Sequence, residues 1–336
     1  MIYCLDRDFY FFNHILSKAN IPFTQTNDPK GAVLLLHTPY PWDVTWVETA
    51  NKLIKKAKDV IVFSTELHPP TVDWLSTLPK KAHVYLSGRI HNIKANQYPY
   101  MDWFATTTHF YKKRLHILEE LHNKTPIGDN LVHFNALLGR KKQHRDLIYK
   151  CIYKNKQVLS TYIQSEHTID EAVLDNSQFI WEGKPQPVSY TIDNIEYDGE
   201  QVSLSQVVPI DVYKKTNWCI VAETNYQSEF VFFTEKIAKP IMAKMPFIIV
   251  GNPFSLQVLH YLGFKTFDGI IDEGYDKITN LYSRVDRIAS LIDNLTHDPE
   301  VPQQILDHNY DVMMNTDWQD TKSMKTLFED ALAKSD

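Results

Sequence analysis

The sequence predicts an α/β protein made of two parallel-sheet halves, and three observations carry that prediction. Short apolar runs recur along the chain with helical patterns between them, as strands buried on both faces of a parallel sheet require. A loop dense in turn formers, Lys124-Thr125-Pro126-Ile127-Gly128-Asp129-Asn130, interrupts the series and marks a boundary. The length of 336 residues also suits about two domains, each long enough to bury its own core.

In the first half, Ile2 to Leu5 opens as a strand and Phe9 to Ala19 follows as a helix. Ala32 to His37, Val60 to Ser64 and His83 to Leu86 read as further strands, with helices at Trp42 to Lys58 and Thr71 to Leu78 between them. Trp103 to Phe104 is expected as an edge strand and Thr107 to His122 as one helix. The second half begins with a strand at His133 to Leu138, a basic turn at Gly139 to His144 and a helix at Arg145 to Tyr153. Strands follow at Gln157 to Tyr162, Trp218 to Ala222, Phe247 to Val250 and, after Gly263, Phe264 to Phe267, with a helix at Phe254 to Leu262. The stretch from Glu166 to Val212 carries no clear period. Ile278, Leu281, Val285, Ile288, Ile292 and Leu295 repeat at threes and fours, the stripe of an amphipathic helix. Two more helices are predicted at Val301 to Met314 and Thr321 to Ala333. The expected division is residues 1–128, 129–300 and a C-terminal helical segment, 301–336.

Composition narrows the class. The chain is 43% hydrophobic and 23% charged, ordinary for a globular protein, and its net charge of -6 gives no global attraction to nucleic acid or anionic membrane. Cys4, Cys151 and Cys219 are scattered without metal-ligand spacing in apolar segments, which predicts reduced, buried thiols and a cytoplasmic setting. No run approaches the roughly 18–20 apolar residues of a membrane span. Asp6, Arg7 and Asp8 break the opening apolar stretch that a signal peptide would need.

The most informative stretch is Phe233-Thr234-Glu235-Lys236, then a helix, then Pro246-Phe247-Ile248-Ile249-Val250-Gly251. A Glu-Lys pair in the first turn of a helix can hold a sugar nucleotide. The carboxylate takes hydroxyls and the ammonium takes phosphate charge, beside the free N–H groups and positive end of the helix dipole. Gly251 permits close backbone approach at the strand end. Upstream, Gly139-Arg140-Lys141-Lys142-Gln143-His144-Arg145 collects five potential cations at another helix start, where they oppose the dipole unless an anion binds.

Together these motifs resemble the donor site of the α1,3-fucosyltransferase family. There a Thr-Glu-Lys sequence precedes a helix, and a strand with proline before it and glycine after it follows. The resemblance is specific across Trp218 to Gly251 and looser from Ala136 to Leu295. It implies a GT-B architecture: two doubly wound, Rossmann-like domains facing a central cleft, with the last helix crossing back to the N-terminal domain. It implies a glycosyltransferase that moves a sugar from a GDP- or UDP-sugar to a hydroxyl acceptor, inverting and without a metal or other cofactor. The residues matching the family's donor site are Arg145 on the phosphates, Glu223 with Thr224 or Asn225 at the strand end, and Thr234, Glu235 and Lys236. Phe232 stands where the family carries an aromatic hydroxyl, and the loop from Tyr226 to Val231 is about two residues longer. A further run from Gly263 to Asp276 is similar to glycosyltransferase-like sequences of phage and marine bacteria, and Asp276 is expected to cap the helix after it. That likeness points to a hydroxymethylated DNA base as acceptor, with a surface glycan as the other. Lys55-Lys56, Lys80-Lys81 and Lys112-Lys113-Arg114 would follow a DNA backbone, and Tyr98, Tyr100 and Trp103 would stack on a base or sugar.

The general base is expected from the first half. Glu66 follows the strand Val60 to Ser64 and is the first candidate, ahead of His37, His68 and Asp8. Asp6 and Asp8 also form an Asp-X-Asp pair of the kind that holds a divalent ion in transferases of another fold. A competing reading is a sugar- or nucleic-acid-binding protein that has kept the fold without turnover.

Overall fold

The computed structural model describes residues 1–4, 9–18, 20–21, 24–39, 42–123, 132–139, 142–152, 155, 158–162, 180–181, 184–185, 195–202, 206–295 and 300–333. The chain forms two compact units, residues 1–105 with 317–336, and residues 106–316. The loop expected to separate the halves, 124–130, lies outside the described residues.

The first unit is built on a five-stranded parallel sheet whose strands lie in chain order: Ile2–Cys4, Val33–His37, Asp59–Ser64, Ala82–Leu86 and Asn96–Pro99. Val33, Leu34, Leu35 and Leu36 are all fully buried, so both faces of the strand are covered and the unbroken apolar run is explained. On one face, Val33, Leu35, Ile61, Phe63 and Tyr85 pack with Phe12, Ile15 and Leu16 of the helix Phe9–Lys18. Met324, Phe328 and Ala331 of the final helix, Thr321–Ala333, complete the same cluster, so the chain's end returns to its beginning. Asp43 starts the helix Val44–Ile54 by accepting from the N–H groups of Thr45 and Trp46.

Two expectations fail here. Trp103 and Phe104 belong to a helix, Asp102–Lys112, and the edge strand is Asn96–Pro99 instead. The true edge strand is polar and part-exposed, so it carries no apolar signal. The single helix predicted from Thr107 is broken in two, with Leu115–His122 as the second. Arg114 sits at the break, 2% exposed, its guanidinium bonded to the Phe110 carbonyl and paired with Asp198 and Glu200. Those carboxylates belong to a hairpin, Ile195–Tyr197 and Glu200–Val202, turned by Asp198 and Gly199 with both φ positive, as a tight two-residue turn needs.

In the second unit four parallel strands lie in the order Phe247–Val250, Thr216–Ala222, Val132–Gly139, Val158–Tyr162. The chain therefore starts in mid-sheet at Val132–Gly139, moves one way to Val158–Tyr162, then crosses to the other side. The point of reversal lies between Val132–Gly139 and Thr216–Ala222. In open α/β sheets that is where ligands bind, outside the carboxyl ends of the strands. No strand forms at Phe264 to Phe267. Both phenylalanines are buried, but the backbone there is bonded by side chains: Asn309 bonds both the N–H and the carbonyl of Lys265, at 2.8 and 2.9 Å, and Glu273 accepts from Phe267 N–H at 2.7 Å. Apolar content predicted burial correctly and strand pairing wrongly. The amphipathic helix runs Leu281–Asn294 and buries Val285, Ile288 and Ile292; Asn280, not Asp276, caps it. Asp276 instead caps the preceding helix, Ser255–Tyr261, accepting from Leu256 N–H at 3.1 Å. Cys4 and Cys219 are buried as expected, whereas Cys151 is exposed on the helix Gln143–Ile152. No described helix is long and apolar enough to cross a membrane.

Candidate functional site

Three elements of the second unit meet at the point of strand reversal: the start of helix Gln143–Ile152, the loop after Thr216–Ala222, and the start of helix Glu235–Met242. Their side chains are interlocked. Glu223, 1% exposed at the end of its strand, accepts from the Thr234 hydroxyl at 2.7 Å and from the backbone N–H of Thr224 at 3.2 Å. Burial raises its carboxyl above the usual range, while Lys236 and the Thr234 hydroxyl pull the other way. Thr234 caps the helix. Its single proton goes to Glu223, which leaves its oxygen to accept from the Lys236 N–H and ammonium, both at 3.3 Å.

Glu235 and Lys236 form an ion pair at 2.7 Å, with side-chain exposures of 8% and 28%. Burial alone would push the Glu235 carboxyl up, but the ammonium groups of Lys236 and Lys239 pull it below its ordinary value. Lys239, one turn along, is half-buried; desolvation lowers its ammonium to about 8 against the attraction of Glu235. Pro240 sits at the sixth helical position rather than in the first turn. Proline therefore offers no N–H to the Lys236 carbonyl four residues back, and the helix ends two residues later.

Gly251 has a specific reason to be glycine. A Cβ there would lie 3.1 Å from the Glu223 Cβ, tighter than ordinary contact, and 3.4 Å from the Asn225 carbonyl. The next residue, Asn252, is buried. It donates to the Gln227 carbonyl at 2.8 Å and accepts from Phe232 N–H at 3.4 Å, tying the two ends of the loop together. Asn225 is 5% exposed in the same loop.

The basic turn divides into different roles. Arg140 and Lys141 lie outside the described residues. Lys142 places its ammonium 2.6 Å from the Thr224 carbonyl, and Lys236 places its own 3.5 Å from the Thr224 hydroxyl, so two cations flank one residue. His144 is fully buried and bonded at 2.7 Å to the Glu223 carbonyl; burial, with Arg145 next to it, lowers its imidazole to about 3, so it is neutral and donates. Arg145 is 4% exposed. Its Nη2 donates to the carbonyls of Ala222 and Glu223, at 3.1 and 3.0 Å. The guanidinium thus closes the strand end on which Glu223 is mounted. Replacing Arg145 by Ala should lower stability by roughly 1.5–3 kcal/mol, the worth of hydrogen bonds from a charged donor. Urea denaturation checks this. An unchanged midpoint would return Arg145 to a purely ligand-facing role.

Glu66 belongs to the first unit. It follows the strand Asp59–Ser64, is half-buried, and lies 3.7 Å from His68 Nε2. The Ser64 hydroxyl donates to the Glu66 carbonyl at 3.1 Å and accepts from Thr38 at 3.0 Å. Nearby, His37 Nε2 is 3.3 Å from the Thr65 hydroxyl and its ring stacks on Phe11 at 4.1 Å. Asp6 and Asp8 lie outside the described residues.

The structure therefore brings together Arg145, Glu223, Thr224, Thr234, Glu235, Lys236 and Gly251, while Glu66 is placed with a different set of neighbours. Sequence reasoning did not single out Lys142, His144, Lys239 or Asn252. The first two stood inside the basic turn and Asn252 directly after Gly251. Only its place one turn beyond Glu235 could have marked Lys239.

No protein-family model matches the chain, and no curated protein does either. Among solved structures, an α1,3-fucosyltransferase aligns over 95% of this chain and 92% of its own, with a TM-score of 0.43 and 10% identity. A structure of α1,3-fucosyltransferase with GDP gives 0.34 and 11%, over 95% and 92% of the two chains. One with GDP-fucose gives 0.39 and 9%, over 94% and 90%. Likeness at this level leaves function to the chain's own residues.

Proposed function

We propose that the protein is a glycosyltransferase that takes a sugar from a nucleoside-diphosphate donor and passes it to a hydroxyl acceptor. The observation that carries this reading is the pair of ammoniums, Lys142 and Lys236, flanking Thr224 at the reversal point of the second sheet. A diphosphate, which gains a further negative charge as it leaves, is the ligand such a place suits. The backbone N–H groups of the helix start add to it, and the buried Glu223–Thr234 bond fixes the geometry before any ligand arrives.

In the proposed reaction the acceptor oxygen attacks the anomeric carbon as the bond from that carbon to the diphosphate oxygen breaks. The electron pair leaves with the diphosphate, which Lys236 and Lys142 stabilise. Glu235 orients ribose or sugar hydroxyls, and the acceptor's proton passes to the Glu66 carboxylate, with inversion at the anomeric carbon. The acceptor is a surface glycan or a hydroxymethylated DNA base. Burial of Arg114 and Tyr100, at 2% and 3% exposure, withdraws two of the side chains that favoured DNA. Lys55, Lys56, Lys80, Lys81, Lys112 and Lys113 remain exposed.

The test is release of nucleoside diphosphate from GDP-, UDP-, ADP- and CMP-sugar donors, the last giving the monophosphate, with and without EDTA. Turnover of one donor, unaffected by chelator, is expected, because ammonium groups supply the charge a metal would otherwise bring. Loss in EDTA with recovery in manganese would assign the leaving-group role to a metal. Binding without turnover of any donor, across a panel of acceptors, would favour the non-catalytic reading.

A further inference from the structure

At the rim of the proposed donor site two tyrosines are held in place by bonds that the site's phosphate chemistry does not explain. Tyr226 lies two residues beyond Thr224, in the loop after Thr216–Ala222. Its hydroxyl donates to Gln143 Oε1 at 3.1 Å, and Gln143 Nε2 donates to the Tyr282 hydroxyl at 3.0 Å. Three elements contribute one residue each: the loop, the start of Gln143–Ile152 and the start of Leu281–Asn294. Below the bridge, Arg284, 2% exposed, donates to the Tyr226 carbonyl at 2.9 Å and to the carbonyls of Ile278 and Thr279 at 2.6 and 3.1 Å. The His144 ring lies 5.0 Å from that of Tyr226. Tyr282 is nevertheless 59% exposed.

Large aromatic side chains gain by burial, and an exposed one fixed by hydrogen bonds loses rotamer freedom without that gain. Ordering of this kind prepares a flat apolar face for a planar ligand. The amide of Gln143 still has one N–H and one lone pair to offer after making both bridging bonds, which suits the polar edge of a heterocycle. The loop itself gives the direction: Thr224 lies between the two ammoniums, and Tyr226 follows at the rim.

We propose that Tyr226 and Tyr282, joined through Gln143, form the platform on which the nucleobase of the donor stacks. This rests on the donor-site reading above. It assigns the base to the rim and the diphosphate to Lys142 and Lys236.

The experiment is calorimetric titration of GDP, UDP and inorganic pyrophosphate into the wild-type chain, Tyr226→Ala, Tyr282→Ala and the two Tyr→Phe variants. Base–aromatic stacking corresponds to roughly five- to hundredfold in affinity. Each Ala variant should lose nucleoside diphosphate affinity in that range, with pyrophosphate affinity unchanged. The Phe variants should keep most of their affinity, since the ring remains and only the bridge is lost. Ala variants that bind GDP and UDP as the wild type does would overturn the platform. So would a wild type that binds pyrophosphate as tightly as either nucleotide, although the anion site would then stand. A wild type that binds none of the three would overturn the donor site and the platform together. Thermal melts of each variant identify any loss caused by unfolding, and if Tyr226→Ala unfolds, Tyr282→Ala decides, because Tyr282 is exposed.

Discussion

Lys236→Ala is expected to lower turnover at least about a hundredfold while the protein stays folded. The ammonium is the part-exposed member of an otherwise buried cluster, and a single group stabilising developing charge in a water-poor site commonly contributes two to three orders of magnitude in rate. Glu235 keeps Lys239 beside it after the change, so its carboxylate is not left without a cation. The melting temperature should therefore fall by only a few degrees. Arg145→Ala should do the reverse, with a larger loss of stability and an indirect loss of rate through displacement of Glu223. Steady-state kinetics and thermal melts on the two variants separate these roles. Equal rates for Lys236→Ala and wild type would remove Lys236 from the site.

Glu66→Gln is expected to reduce turnover by roughly two to four orders of magnitude, the range of general base catalysis, with donor affinity unchanged. The substitution keeps shape and removes the proton acceptor. A purely structural role, such as a cap for the helix Pro69–Ser76, would change stability by under about 2 kcal/mol and leave the rate unchanged. Single-turnover rate and donor affinity, measured on the same variant, check the expectation. A fully active Glu66→Gln protein would transfer the role to His37, His68 or Asp8; His37 lies beside Thr65 and His68 beside Glu66.

Much of the fold was legible because parallel strands buried on both faces leave unbroken apolar runs. Val33–His37, Asp59–Ser64, Thr216–Ala222 and Phe247–Val250 all announce themselves in this way. The edge strand Asn96–Pro99 did not, since an edge exposed to water is polar and matches no period. The break at Arg114 was hidden because its carboxylate partners come from a distant hairpin, although the Asp198-Gly199 dipeptide was itself a readable turn signal. Among site residues, Thr234, Glu235 and Lys236 could be read because a helix start has a local signature. Arg145 was read as a cation for ligand, but its burial and its carbonyl partners depend on how the sheet closes. Lys142 and Tyr226 become meaningful only once the loop is seen to run from the ammoniums to the rim.

Thermal unfolding with added nucleotide tests most directly whether the second unit binds a nucleoside diphosphate. A ligand present at about a thousand times its dissociation constant stabilises the native state by about 4 kcal/mol. GDP or UDP at millimolar concentration should therefore raise the melting temperature of the wild type clearly, and that of Lys236→Ala much less. No shift of the wild type with GDP, UDP, ADP or CMP, or an equal shift for Lys236→Ala, would contradict the account.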